Sequence, residues 1–154
     1  MALEIDRIDQ KILRALQSDG RRSNSELAKF AGVSPATCHR RTQRLFAEGY
    51  VREVRALVAP EKVGLGALAI VGVVLDRSTP ESFASFEAAV VKLSFVLDCH
   101  LTAGDFDYVL KIRVGDIADF SRIHGGQLLA LPGVRQTRTF FVMKEVVDNA
   151  KLDF

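Results

Sequence analysis

Residues 34–48 read SPATCHRRTQRLFAE, and this stretch carries His39, Arg40, Arg41 and Arg44 with no acid between Glu26 and Glu48. The spacing predicts a helix. Ser34 is placed to cap the first free N–H groups, and Pro35 falls at the first helical position, where its missing donor costs nothing. At 3.6 residues per turn Cys38, Thr42 and Leu45 share one narrow side, while Ala36, His39, Arg40, Gln43 and Ala47 lie opposite. A helix with a weakly apolar inner side and an Arg, His and Gln outer side suits a DNA groove. Short Ala36 lets the backbone approach, and Arg40 and Gln43 carry the forked groups that read guanine and adenine edges. The same pattern is also that of a basic amphipathic surface helix.

Working back towards the amino end, Ser23 to Glu26 is the Ser-x-x-Glu of a capping box, followed by Leu27, Phe30 and Ala31 as an apolar edge and Gly32 as a terminator. This gives a short helix over about 24–31. Only Gly32 and Val33 separate it from the Ser34 cap, which forces a tight turn. Before it, Ile5, Ile8, Ile12, Leu13 and Leu16 recur at helical spacing, with Asp6 and Asp9 in the first turn. Helix, short helix, glycine turn and basic helix form the helix-turn-helix arrangement. After Gly49, YVREVRALVA reads as a small two-stranded wing or a strand leaving the head, with Arg52 and Arg55 either near phosphate or on a solvated edge.

Charge follows the same division. The chain of 154 residues carries +2 overall, but residues 1–60 hold 11 Lys and Arg against 7 Asp and Glu, a net +4, and the remainder is −2. An anionic partner would therefore bind the first third. The amino end lacks the apolar core of a signal peptide, and the run 65–75 is too short to span a bilayer, so a soluble cytoplasmic protein with no membrane partner is expected. Cys38 and Cys99 have no metal-ligand spacing with His39, His100 or His124; no metal and no other cofactor is expected.

Ala59 to Gly64 combines both helix breakers without apolar period and marks the boundary. The domains expected are 1–59, a linker over 60–66, and 67–154. Residues 67–75, ALAIVGVVL, have no polar side chain, which argues a strand covered on both faces. Thr79 and Pro80 open a helix with Phe83, Phe86, Val90 and Leu93 inward. Strands follow over 95–102 and 108–114, then a helix over about 117–131 and a long strand over 134–147. The order β-α-β-β-α-β is that of a four-stranded antiparallel sheet with two helices on one face, the ferredoxin-like topology. The fold class is thus α+β: an N-terminal winged helix-turn-helix and a C-terminal ferredoxin-like domain. An apolar first strand also needs cover on the helix-free face. A second copy related by a two-fold axis supplies it, and would present two heads to half-sites about one DNA turn apart, roughly 34 Å. The alternative, that residues 64–66 and the tail fold over that face, asks much of short segments.

These motifs resemble those of the Lrp/AsnC family of bacterial and archaeal feast/famine regulators over nearly the whole length. IDRIDQKIL is similar to the start of the family's first helix. SPATCHRRTQRLFAEGY matches its pattern through Ser34, Pro35, Cys38, Arg41, Arg44, Leu45 and Gly49. HLTAGDFDYVLKIRV resembles its effector-domain hairpin through Gly104, Asp105, Phe106, Asp107 and Tyr108, and LPGVRQTRTFFVM the opening of its last strand. The resemblance implies transcriptional control in response to a free amino acid, and homodimers assembling to octamers. Glu53 stands where relatives often have glycine in the wing.

On that reading double-stranded DNA is the partner. Arg44, Arg52 and Arg55 are the phosphate candidates, while Thr37, His39, Arg40 and Gln43 are the base-reading candidates behind the Ser34 cap. Arg41 projects nearer the core, where an ion pair with Asp6 or Asp9 and a phosphate contact are both open. For the effector, Gly104 lets backbone N–H groups meet a carboxylate, and Asp105 or Asp107 takes the ammonium, with Leu101, Phe106 and Tyr108 around them; read alone, Gly-Asp-Phe-Asp is an ordinary hairpin turn. An enzyme is not expected, since no nucleophile has a placed base and no acids pair at catalytic spacing. The alternative is a ligand-independent, nucleoid-type architectural DNA-binding protein.

Overall fold

The computed structural model describes residues 5–154. The start of the first expected domain, at residue 1, lies outside them. Contacts divide the chain into two units: one extends to Leu57 and takes back Val147–Phe154, and the other is Val58–Val146. The return of 147–154 to the first unit has no signal in the sequence, which assigned those residues to the second domain.

In the first unit α1 spans Arg7–Ser18, α2 Asn24–Ala31 and α3 Pro35–Ala47. Each start is set by a short polar side chain. Asp6 accepts the N–H groups of Ile8 and Asp9, both at 2.9 Å, and the Asp9 carboxylate accepts the Asp6 N–H. This reciprocal cap starts α1 at Arg7. Ser23 and Glu26 make the same box on α2, and Gly32 ends it in the left-handed conformation at φ 73°. Ser34 caps α3 with Pro35 in the first turn. The three helices close on a core of Ile12, Leu13, Ala15, Leu27, Ala28, Ala31, Cys38 and Leu45. Cys38 and Leu45 are fully buried, as the helical spacing predicts.

The stretch 52–59 forms neither helix nor strand. A wing needs a partner strand to close its ladder, and no described strand of this unit offers one. The segment is anchored by packing instead: Val51 joins the edge of the core, and Val54 sits where a Cβ on Gly20 would meet it at 2.7 Å. Gly20 is the space Val54 fills.

In the second unit, after a 3₁₀ turn at Pro60–Val63, come β1 (Ala67–Leu75), α4 (Pro80–Val90), β2 (Val96–Leu101), β3 (Tyr108–Val114), α5 (Ile117–Ile123) and β4 (Val134–Phe141). The sheet is antiparallel in the order β2-β3-β1-β4, the ferredoxin-like arrangement. Alternate residues of β1 and β3 (Ala69, Val71, Val73 and Leu75 with Tyr108, Leu110, Ile112 and Val114) form one cluster with Phe86 and Val90 of α4 and Phe120 and Ile123 of α5.

Two expected elements are shorter. The helix read over 117–131 widens at His124–Leu128 into a π turn, where Gly125 and Gly126 hold the α form weakly. The strand read to 147 ends at Phe141, because Ala69 is its last paired partner and Leu68 accepts one further bond, from the Val142 N–H at 2.9 Å.

The helix-free face is partly covered by the chain itself. The Phe106 ring lies on Gly72, where any Cβ would meet it at about 2.6 Å. Glu145 pairs with Arg113 and Lys111, which alternate with the core-facing residues of β3. The segment after β4 thus reaches that face, although it looked too short to do so. Ile70 and Val74 remain half-buried, and Phe140 is 51% exposed.

Candidate DNA-binding and effector sites

Helix α3 divides its charges between two sides. His39, Arg40 and Gln43 are exposed. Arg41 and Arg44 turn inward onto one carboxylate: Asp9 accepts from Arg41 Nη1 at 2.9 Å and from Arg44 Nη2 at 2.6 Å, and its side chain is 2% exposed. Asp6 takes a second bond from Arg41 Nη1 at 2.8 Å, and Glu48 flanks Arg44 at 3.4 Å. The Arg41 guanidinium is held more firmly protonated than an ordinary arginine, first by its bond to Asp9 and then by that to Asp6. The Asp6 carboxyl sits below its usual range, chiefly through the Asp9 N–H.

Of the two readings open for Arg41, the structure displays the ion pair. Arg44, read as a phosphate contact, has an internal partner as well. Asp9, named in the sequence only as one of two possible partners for Arg41, takes Arg44 as well and so joins α1 to α3 at two points. A signal for this was present: two acids three residues apart in the first helix match two arginines three residues apart in the third, and each pair shares a helix face.

The remaining candidates sit around that axis. Ser34 Oγ accepts the Thr37 N–H at 3.2 Å and donates to Thr37 Oγ1 at 3.0 Å, so Ser34 and Thr37 are tied to each other at the head of α3. Asn24 Nδ2 donates to the Pro35 carbonyl at 2.8 Å and fixes the α2–α3 turn. Arg52 and Arg55 are exposed, with Arg55 3.4 Å from Glu53. The sequence reading missed Asn24, a short amide at the start of a helix-turn-helix.

In the sheet unit the six effector candidates separate. Gly104 and Asp105 are exposed at the β2–β3 turn, and a Cβ on Gly104 would meet nothing within 4 Å. That glycine leaves open space beside the backbone rather than serving a positive φ. Asp107 is half-buried, accepting the Leu75 N–H at 2.7 Å and the Ser78 hydroxyl at 3.1 Å. It thereby ties the hairpin to the end of β1. Phe106 lies on the helix-free face, with the Arg138 guanidinium 5.8 Å from its ring centre. Asp105, Phe106, Arg138 and Arg135 line a pocket of about 220 Å³. Leu101 is exposed at the end of β2. Tyr108 is elsewhere: it is 1% exposed on the helix side, between Phe83 and Phe86, and its hydroxyl donates to Glu87 Oε1 at 2.7 Å. Burial first, and then that bond, push its phenol well above the usual range.

Among the described residues no group of three or more His, Cys, Asp or Glu is placed to hold a metal, and no helix is long and apolar enough to cross a membrane. Cys38 and Cys99 are both free thiols.

Comparison with known proteins bears on both units. Residues 5–45 match the AsnC-type helix-turn-helix domain, and residues 68–152 match the Lrp/AsnC ligand binding domain. The leucine-responsive regulatory protein of Salmonella typhimurium is 45% identical over 97% of this chain and 91% of its own length, and that of Escherichia coli K12 is 44% identical over the same shares. Among solved structures, a transcriptional regulator of Neisseria meningitidis in complex with L-Met superposes with a TM-score of 0.91 at 36% identity, covering 97% of this chain and 96% of that one. An AsnC family transcriptional regulator from Agrobacterium tumefaciens gives 0.91 at 30% identity, covering 97% of each. A feast or famine regulatory protein of M. tuberculosis, complexed with L-methionine, gives 0.87 at 29% identity, covering 96% of this chain and 97% of that one.

Proposed function

The chain belongs to the Lrp/AsnC family of DNA-binding transcription regulators, and we propose that it binds DNA sequence-specifically and changes its assembly and its hold on DNA when it binds a free amino acid. The observation that carries this reading is the split of α3, with His39, Arg40 and Gln43 outward and Arg41 and Arg44 held on Asp9. Rigid support beneath exposed forked side chains is what base reading requires, because a bidentate contact tolerates little error in position. Arg40 and Gln43 read base edges with His39 beside them; Arg52 and Arg55 hold phosphate; Ser34 and Thr37 set the start of the helix.

Leucine response in relatives' names and L-methionine in relatives' structures support an amino-acid effector. The same relatives leave the ligand-independent architectural reading without support. The effector meets the hairpin at Gly104, whose open side admits a carboxylate to the backbone. Asp105 is free to face the ammonium, and Asp107, with a lone pair left on each oxygen, holds the hairpin in place. The half-buried Ile70 and Val74 and the exposed Phe140 support a two-fold partner on the helix-free face, from which larger assemblies grow. Such a regulator works in the cytoplasm, on the chromosome.

A thermal-shift screen against the common amino acids, followed by gel shift on duplexes selected by the protein from a random pool, tests this reading. A ligand raises the melting temperature by mass action, and leucine and methionine are the expected hits. Asp107→Ala should lose the shift and the ligand effect on DNA binding while keeping binding without ligand. No hit in the screen, or an unaltered response in that variant, would contradict the effector reading.

A further inference from the structure

Segment 147–154 follows the sheet in sequence, yet its contacts lie in the helical unit. They are directed. The Gln17 side-chain amide donates through Nε2 to the Leu152 carbonyl at 3.1 Å and accepts the Leu152 N–H through Oε1 at 2.8 Å. That is the pair of bonds a neighbouring strand offers to one residue of extended backbone. Next to it Lys151 Nζ donates to Ser18 Oγ at 3.2 Å. Phe154 packs onto the helical core, with the Arg14 guanidinium 5.7 Å from its ring centre. Arg14, Gln17 and Ser18 stand at i, i+3 and i+4, so one side of α1 takes up three residues of the segment.

A cavity of about 710 Å³ opens beside the segment, walled by Leu13, Leu16, Val54 and Leu57 together with Leu152 and Phe154. None of its lining residues belongs to α2 or α3. A peptide seated here leaves the exposed side of α3 clear, so it does not compete with DNA. It bears on α1 instead, the helix that carries Asp9 and through it Arg41 and Arg44.

We infer that 147–154 is a strap that docks in a groove between α1 and the 50–57 segment, and that it completes the DNA-binding head by holding α1 in the position from which Asp9 anchors α3. The Gln17 clamp reads the backbone of the strap, and Phe154 is its apolar anchor. The head is then joined to the sheet unit by chain at two points, after Leu57 and before Val147.

Hydrogen exchange on the full-length protein tests this without reliance on DNA or effector. Deletion of 147–154, and separately Gln17→Ala and Phe154→Ala, should speed exchange of α1 amides by roughly tenfold or more, because local opening governs their protection. The β1 and β3 amides should be unchanged. Affinity for duplex DNA should fall several-fold in all three variants, and a synthetic 147–154 peptide added to the deletion variant should restore α1 protection. If the deletion unfolds the head outright, the two point variants keep the chain whole and give the same reading. Unchanged α1 exchange in the deletion variant would overturn the inference. So would a deletion that alters only the mass by light scattering while Gln17→Ala behaves as wild type, since the segment would then serve assembly and not the head.

Discussion

The two units hold themselves together differently. The sheet unit buries one large apolar cluster, with the Tyr108 hydroxyl meeting a single acceptor at its edge, and its buried charge, Arg113, ties β3 to Glu145 of the segment after β4. The head has a smaller apolar core, and beside it a buried carboxylate that takes two arginines from α3, the helix proposed to read DNA. A head rich in basic residues can spend some of them on its own architecture. The lesson concerns counting: of the three arginines within 40–44, one faces outward and two are internal ties. A basic helix is therefore not read by its net charge but by which charges have partners already.

Substitutions in the two units should separate cleanly. Phe86→Ala, at a fully buried position, should cost the sheet unit about 4 kcal/mol, in a urea melt followed by probes of that unit and with little dependence on salt. Asp9→Ala should cost the head about 3 kcal/mol, because it leaves two arginines without their shared partner; a loss under about 1 kcal/mol would break the contrast. Arg44→Ala should cost less, about 1 kcal/mol, since its side chain is 36% exposed and water replaces part of what is lost.

The smallest effect is in pH. The Asp6 and Glu26 carboxyls are held below their ordinary values of 3.8 and 4.5, by the Asp9 N–H and the Ser23 hydroxyl respectively. Their contribution is present above those values and is lost as pH falls through the lower folded ones, so acid loosens the head first. Tyr108 behaves oppositely. Its phenol is raised above 10.0, so its contribution is full below that value and is lost only as pH rises through the higher folded one. Exchange of α1 and β3 amides at acid and alkaline pH checks both directions.

Much of this organisation is legible in local sequence signals. Caps made by Ser23, Ser34 and Thr79 act over three residues, so the starts of α2, α3 and α4 can be read directly. The unbroken apolar run of β1 likewise gives its bounds at Ala67 and Leu75. What failed depends on partners far away in sequence. β4 ends opposite the start of β1, where its antiparallel partner runs out, and the 52–59 stretch stays out of a ladder for want of a mate. Gln17 gives no hint that it binds Leu152, 135 residues on. Of the effector candidates, Tyr108 follows from the resemblance of the hairpin motif, but strand alternation turns neighbouring side chains to opposite faces, and its ring lies in the core. Gly72 was the available clue for Phe106, because a glycine inside a strand marks a close approach.

The central claim is that α3 reads DNA with its outward side while Arg41 and Arg44 secure it to α1. Competition binding of Arg40→Ala and Arg44→Ala, each on a selected duplex and on random duplex, with the melting temperature of the head measured on the same samples, addresses it directly. Arg40→Ala should lose about 1–3 kcal/mol of discrimination between the two duplexes with the melting temperature intact, and Arg44→Ala should lower the melting temperature while keeping discrimination. Equal losses of discrimination in both variants, or an Arg40→Ala that still discriminates fully, would contradict it.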